Sequence, residues 1–234
     1  MVAPGLDRGY NVLLFDGPGQ QSMLFLHKMP FRHDWEHVIT PVVNHLLQRS
    51  DVDPAKLAIY GISQAGYWVP RTVAFEHRFA AAIADPGVDD VAESWRPNTP
   101  PGALDLLDSG DSEGFDAAFE AMVVKLGPKM RQTAARRSKP YGTATAYETF
   151  KTVEQYRLGE LVNQITTPML VTDPEGESFW PGQSKRLYDA LSGPKAYVPF
   201  TAAEGASMHI EPMARSLVAQ RIFDWLDDTL ASQD

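Results

Sequence analysis

"GISQAGYW", residues 61–68, places Ser63 between two glycines directly after the apolar run "KLAIY" (56–60). A short apolar run bounded by turn residues reads as a strand buried on both faces of a parallel sheet. The stretch that follows, "QAGYWVPRTVAFEH" (64–77), reads as a helix. Strand, tight turn and helix therefore meet at one serine. In G-x-S-x-G, which this stretch follows except that Ala65 takes the last place and Gly66 comes next, such an arrangement forms a strained elbow whose small flanking residues let the hydroxyl project above the sheet edge. A helix N-terminus beneath the hydroxyl also favours the negative charge that develops in acyl transfer.

The same alternation extends in both directions. "YNVLLFD" (10–16) is a nearly continuous apolar run that stops at "GPGQQ" and is expected to be the first strand. "DWEHVITPVVNHLLQ" (34–48) has helical spacing, with Asp34 expected as its cap and Pro41 as a kink. "FAAAIAD" (79–85), "TPMLVTD" (167–173) and "KAYVPF" (195–200) are further strands, and "GQSKRLYDALSG" is a helix between the last two. "RSLVAQRIFDWLDDTL" is an amphipathic C-terminal helix with Leu217, Ile222, Trp225 and Leu226 on one broad face. Strands alternating with helices imply an α/β fold with a mostly parallel sheet and helices on both faces. Residues 88–165 break the pattern with acidic loops, helical stretches and the basic run "RQTAARRSK". The expected organisation is a core from 1–87 and 166–234, with 88–165 inserted as a helical cap.

Composition narrows the function. The 234 residues suit one sizeable domain with an insertion, and 44% apolar with 22% charged residues is ordinary for a globular chain. A net charge of -9 argues against nucleic acid or an anionic membrane as partner. No cysteine is present, which removes disulfides, thiolate metal sites and cysteine nucleophiles. No run reaches the ~18 apolar residues of a membrane span, and "MVAPGLDRGYNV" does not read as a signal peptide. A cytoplasmic location is expected. One H-x-x-x-H spacing occurs, His33 and His37 in "HDWEH", and both read as surface or packing residues; no strand-linked G-x-G-x-x-G occurs, and no metal and no dinucleotide cofactor is expected.

A serine nucleophile needs a base, and the base needs an orienting acid; in this fold they follow in the order serine, acid, histidine, each in a loop after a strand. Of the six histidines only His209, in "AEGASMHIEP", follows the last expected strand. After "TPMLVTD" three carboxylates compete: Asp173, Glu175 and Glu177. A common hydrolase form of this loop, P-V-L-V-I-H-G-E-D-D-P-L-V-P, laid without gaps on Pro168–Pro181, puts its acidic partner on Glu177. Asp173 is the alternative acid, and Glu175 reads as solvated. Trp95, Tyr141, Tyr147 and Phe150 are candidates for an acyl pocket or for simple core packing. "ARRSK" (135–139) is either a solvated helix face or a site for an acidic group.

"GYNVLLFDGPGQ", "PFRHDWEHVITPVV", "GISQAGYWVPR", "ADPGVDDVAESW", "LVTDPEGESFWPGQSKRLYDAL" and "FTAAEGASMHIEPMARSLVAQRIFDWLDD" together resemble the FrsA-like α/β-hydrolases. That family includes the 2,6-dihydropseudooxynicotine hydrolases and fungal polyketide-shortening hydrolases of the yellowish-green pigment type. The resemblance runs in order along the whole chain and is weakest in the cap. It implies an α/β-hydrolase fold with Ser63 as nucleophile, His209 as base, Glu177 as acid and the Gln64 N–H as one oxyanion-hole donor. Two departures stand out. Gln21 occupies the last position of the family's D-G-P-G-Q-G turn, and relatives carry strands before the counterpart of Met1, including one whose loop supplies the second oxyanion donor.

The expected activity is a serine hydrolase acting through an acyl-enzyme on a carboxylic ester or a ketone-activated C–C bond, with a small ester or ketone as its partner. The alternative is a non-catalytic or impaired α/β-hydrolase-like binding protein, because one side of the oxyanion hole is missing. An abbreviated front also leaves "YNVLLFD" without its usual sheet neighbour. It must pair directly with "KLAIY", borrow a strand from a second copy in a homodimer, or be joined by residues further upstream.

Overall fold

The computed structural model describes residues 1–232. In chain order the elements are α1 (Val2–Asp7), α2 (Gln21–Phe25), α3 (Glu36–Leu46), β1 (Ala58–Ile62), α4 (Ala65–Val73) and β2 (Ala81–Asp85). Then come α5 (Ala103–Ser109), α6 (Ser112–Leu126), α7 (Pro128–Ser138) and α8 (Ala146–Val153). The chain closes with β3 (Met169–Pro174), α9 (Gln183–Ala190), β4 (Lys195–Phe200) and α10 (Arg215–Ala231). Contacts divide these into two compact units, one of residues 1–14, 34–90 and 158–232, the other of residues 15–33 and 91–157. Residues 15–33 thus group with the helical segment rather than with the first part of the core, where the sequence pattern had placed them.

The first unit is an α/β core. Its four strands lie in the order β1-β2-β3-β4, all parallel, with Ile83 beside both Tyr60 and Leu170, and Leu170 beside Ala196. β2 is buried along its full length, as a central parallel strand must be when helices cover both faces. Ile83, Leu170 and Phe200 form one apolar cluster with Val218, Ile222 and Leu226 of α10. α4 contributes Tyr67, Trp68, Val69 and Val73, all buried, and the Trp68 ring stacks on Trp35 at 4.2 Å. Arg71 of α4 donates two hydrogen bonds to Glu36 of α3, at 3.0 and 2.7 Å, which satisfies a largely buried pair. Among the described residues no helix is long and apolar enough to cross a membrane.

Two expectations are corrected here. Residues 10–16 form no strand, and they do not pair with β1. An extended segment becomes a strand only when a neighbour takes up its backbone groups, and the segment's polar ties lead it elsewhere. The Tyr10 hydroxyl bonds to Asp227 and its ring packs on Phe223, while the Asn11 amide donates to Asp51 O at 3.1 Å. Leu13 and Leu14 are left 52% and 74% exposed, which is why apolar character alone was a poor guide to pairing. Asp34 does not cap α3 either. Trp35 holds the cap position without a side-chain bond, and Asp34 instead accepts the His37 N–H on its carbonyl at 3.2 Å. Pro41 lies inside α3 without ending it.

The second unit is helical. α5, α6, α7 and α8 pack around buried Phe115, Val123, Tyr141, Phe150 and Val153. The Trp95 ring meets Tyr141 and Phe150 edge-on at 5.5 Å each, a favoured aromatic geometry. Residues 15–33 join it through Phe31, whose N–H donates to Pro140 O at 2.7 Å and whose ring meets Tyr141 at 5.4 Å. Gln21, where the resembling turn has glycine, takes a positive φ of 27°.

The α10 face generates a stability prediction. Ile222 is 1% exposed within the core cluster, so Ile222→Ala should cost about 2–5 kcal/mol, read as a lower urea midpoint with an unchanged slope.

Candidate active site

Ser63 closes the turn between β1 and α4 with a φ of 59°, in the left-handed region that a side chain enters only under constraint. The constraint comes from its neighbours. A Cβ at Gly61 would lie 2.3 Å from Ala65 O, and one at Gly66 would lie 1.8 Å from Pro86 O. Gly61, the first position of G-x-S-x-G, and Gly66, which follows the motif's last position (Ala65 in this chain), therefore each exclude every other residue by contact with backbone. The Ser63 N–H donates to Asp85 O at 2.7 Å, and its carbonyl accepts from the Gly66 N–H at 2.8 Å. These bonds fasten the elbow to the end of β2 and to the first turn of α4. Gln64 occupies the N-cap of that helix, directly after the serine.

Three loops of the core unit bring the expected residues together. Ser63 Oγ lies 2.9 Å from His209 Nε2, and His209 Nδ1 lies 2.6 Å from Glu177 Oε2. The Glu177 side chain is only 2% exposed, and its other oxygen, Oε1, accepts the Phe179 and Trp180 N–H groups at 2.7 and 3.1 Å. The extra methylene relative to aspartate is thus absorbed by a turn whose backbone clamps one oxygen and aims the other at the imidazole. Burial pushes the Glu177 carboxyl up, but the bond and charge of His209 and the two backbone N–H groups outweigh it and hold the carboxyl below its ordinary range. Asp173 lies elsewhere: it sits on β3 and accepts a hydrogen bond from the Tyr197 hydroxyl. Glu175 accepts the Ala202 N–H at 2.7 Å, at the surface rather than in solvent alone.

Several neighbours escaped the sequence reading. Phe179 and Trp180 place their ring centroids 4.6 and 5.9 Å from that of His209, so the imidazole has an aromatic wall. Beneath the His209 loop lies a second group of carboxyls. Asp85 is fully buried and accepts bonds from the Tyr60 hydroxyl and, at 2.8 Å, from Thr172 Oγ1. Glu211, two residues after His209, is also 0% exposed, with a φ of 42° and no hydrogen-bond donor for either carboxyl oxygen among the described residues. Burial, then the charge of Asp85, push the Glu211 carboxyl up to about 9, against the opposing pull of Arg215. Glu211 is therefore protonated at neutral pH and able to donate to Asp85. Arg215 in turn donates to Ile210 O at 2.9 Å, which ties the histidine loop to α10. No sequence motif marks this group, because its members come from β1, β2, β3 and the last loop. Among the described residues no cluster of His, Asp and Glu has the grouping a metal ion requires.

A parallel sheet with a serine elbow at a strand end and a histidine in the last loop defines the α/β-hydrolase class. The chain has that fold and is similar in sequence to fungal hydrolases. It is 29% identical to hydrolase LUC6 of a Fusarium species and 28% identical to the 20-hydroxy-prefusarin hydrolase FUS2 of Gibberella moniliformis, over 97% and 98% of its own length. It spans 57% and 58% of the length of those two relatives. Among solved structures, that of 2,6-dihydroxy-pseudo-oxynicotine hydrolase superposes with a TM-score of 0.65 at 18% identity, over 93% of this chain and 52% of that one. The α/β-hydrolase GrgF from a Penicillium species superposes with a TM-score of 0.57 at 16% identity, over 84% and 71%. No protein-family model matches the chain.

The Glu211 environment has a direct consequence for stability. A carboxyl whose folded pKa is raised from 4.5 to about 9 favours the folded state below its unfolded pKa, and that advantage is lost as pH rises towards 9. Glu211→Gln keeps a neutral donor for Asp85 and has no proton to lose. Its melting temperature should therefore fall less than that of the parent between pH 6 and pH 9. Parallel melting curves across that range would overturn this reading of Glu211.

Proposed function

We propose that the chain is a serine hydrolase in which Ser63 is the nucleophile, His209 the general base and Glu177 the residue that orients and stabilises the imidazolium. One observation carries this reading: the unbroken hydrogen-bond line from Ser63 Oγ through His209 to the buried Glu177 carboxylate, anchored on an elbow that admits only glycine at positions 61 and 66. The hydrolase names of the relatives support the reaction class.

The steps follow from the geometry. Ser63 Oγ attacks the substrate carbonyl carbon while its proton passes to Nε2, 2.9 Å away. The imidazolium is held by Glu177 through Nδ1, and the carboxylate is already ionised because its folded pKa is lowered. The Gln64 N–H at the head of α4 faces the developing oxyanion together with the helix dipole. His209 then returns the proton to the departing group, and a water activated by the same imidazole releases the acyl-enzyme. The departing group is an alkoxide from an ester, or a carbanion stabilised by a neighbouring ketone. Both use the same residues, and the relative FUS2 is named as a hydrolase of 20-hydroxy-prefusarin.

A fluorophosphonate probe reports an activated serine without requiring the natural substrate. Labelling should be lost in Ser63→Ala, whose circular dichroism should match the parent. Glu177→Gln should lower turnover of a p-nitrophenyl ester by roughly two to four decades, the scale of neutralising a triad acid. Asp173→Asn, which disturbs only the Tyr197 bond, should cost far less. The reverse ranking of the two carboxylate variants would move the orienting role to Asp173, and undiminished labelling of Ser63→Ala would end the proposal.

A further inference from the structure

The helical unit contains a cavity of about 280 Å³ between α6, α7 and α8 and the segment around Trp95. Its walls are mainly apolar, from Trp95, Phe119, Val123, Met130 and Phe150. Most polar groups on its lining are already committed within the unit. Thr149 Oγ1 donates to Thr145 O at 2.8 Å, Ser138 Oγ to Ala134 O at 2.9 Å, and the Asn98 amide to Ser94 O at 3.0 Å. Glu120, at the margin, is paired with Arg131 at 2.6 Å.

Arg137 is the exception. Its guanidinium lies over the Trp95 ring, 4.4 Å from the centroid, which fixes the group's plane against an aromatic face. Its hydrogen bonds to protein are two contacts from Nη2 to Ser94 O and Oγ, each at 3.4 Å, at the outer limit of such bonds. A guanidinium carries five N–H donors, so most of its capacity is unspent on protein acceptors. No carboxylate forms an ion pair with it among the described residues. Burial consequently pulls its pKa below the ordinary arginine value, with Tyr141 opposing. A desolvated cation without an acid costs stability unless something else meets it. The neighbouring Arg136 and Lys139, by contrast, are exposed, so the basic run divides into a solvated face and one inward-facing charge.

We propose that this cavity is a binding site for an organic monoanion with an apolar body, its carboxylate or equivalent anionic head paired with Arg137 and its body lying among Phe119, Val123, Met130 and Phe150. An arginine fork matches a carboxylate in two parallel hydrogen bonds, and stacking on Trp95 means little side-chain freedom remains to be lost on binding. The cavity approaches the lower end of the size range of small-molecule sites and shares their pattern of apolar walls with few polar groups. The site lies wholly within the helical unit and does not depend on Ser63 being a nucleophile.

The test compares decanoate with decanol, which share an apolar chain and differ in the charged head, by isothermal titration calorimetry at pH 8. The parent protein should bind decanoate at least about tenfold more tightly, the scale of one charge-assisted hydrogen bond. Arg137→Met, which retains an apolar side chain against Trp95, should bring decanoate down to the affinity of decanol. Arg137→Gln is a second variant with a planar polar head, and it should also lose the preference. Circular dichroism and the melting temperature identify whichever variant stays folded, and that one decides. Equal affinity for the two probes in the parent, no binding of either, or a decanoate preference that survives in the folded Arg137 variant would each overturn the proposal.

Discussion

Everything in the candidate site of the core unit depends on one strained residue. Ser63 holds a left-handed backbone conformation because the chain at Gly61 and Gly66 packs too closely for a side chain, and because its own N–H is tied to the end of β2. Such a conformation costs on the order of 1–3 kcal/mol and persists only when its surroundings over-determine it. The parallel register of β1 with β2, the immediate start of α4, and the close approach of Pro86 to Gly66 supply that determination. With the serine so placed, the last loop brings one imidazole nitrogen within 2.9 Å of its hydroxyl.

The carboxyls around that loop show how environment assigns different tasks to one functional group. Glu177 is buried yet ionised, because an imidazole and two backbone N–H groups meet its charge. Glu211 is buried with no such donors, so it keeps its proton and faces Asp85 as a neutral acid. Asp85 spends its oxygens on Tyr60 and Thr172, and Asp173 spends one on Tyr197. Side chains of like chemistry thus separate by their partners, the pattern by which proteins divide acid and base duties. The neutral Glu211 also limits negative charge beneath His209, since a third ionised carboxylate there would repel both Asp85 and Glu177.

The two units solve their packing differently. The core unit buries β2 between helices on both faces, and α10 covers one face with Val218, Ile222 and Leu226. The helical unit relies on edge-to-face aromatic contacts, with Trp95 against Tyr141 and Phe150, and Phe115 against Phe150. Tyr141 is buried packing, whereas Trp95 and Phe150 pack and also line the cavity that holds the Arg137 guanidinium.

By itself the sequence determined the α/β alternation, four of the strands, a helical stretch within residues 88–165, and the turn at Ser63. These are local signals: short apolar runs, helical periodicity, and two glycines at a fixed spacing around a serine. His209 and Glu177 were legible through chain order and a gap-free loop match, and the structure brings both to the serine. What only the tertiary structure decided depends on neighbours distant in the chain. The run at residues 10–16 has the composition of a buried strand, but a ladder needs a partner, and Tyr10 and Asn11 bond to Asp227 and Asp51 instead. The choice of Glu177 over Asp173 rests on which carboxylate the turn after β3 aims at an imidazole 32 residues away. The proton on Glu211 and the unmatched charge of Arg137 are consequences of burial, and burial is a property of the folded chain that no single stretch of sequence carries.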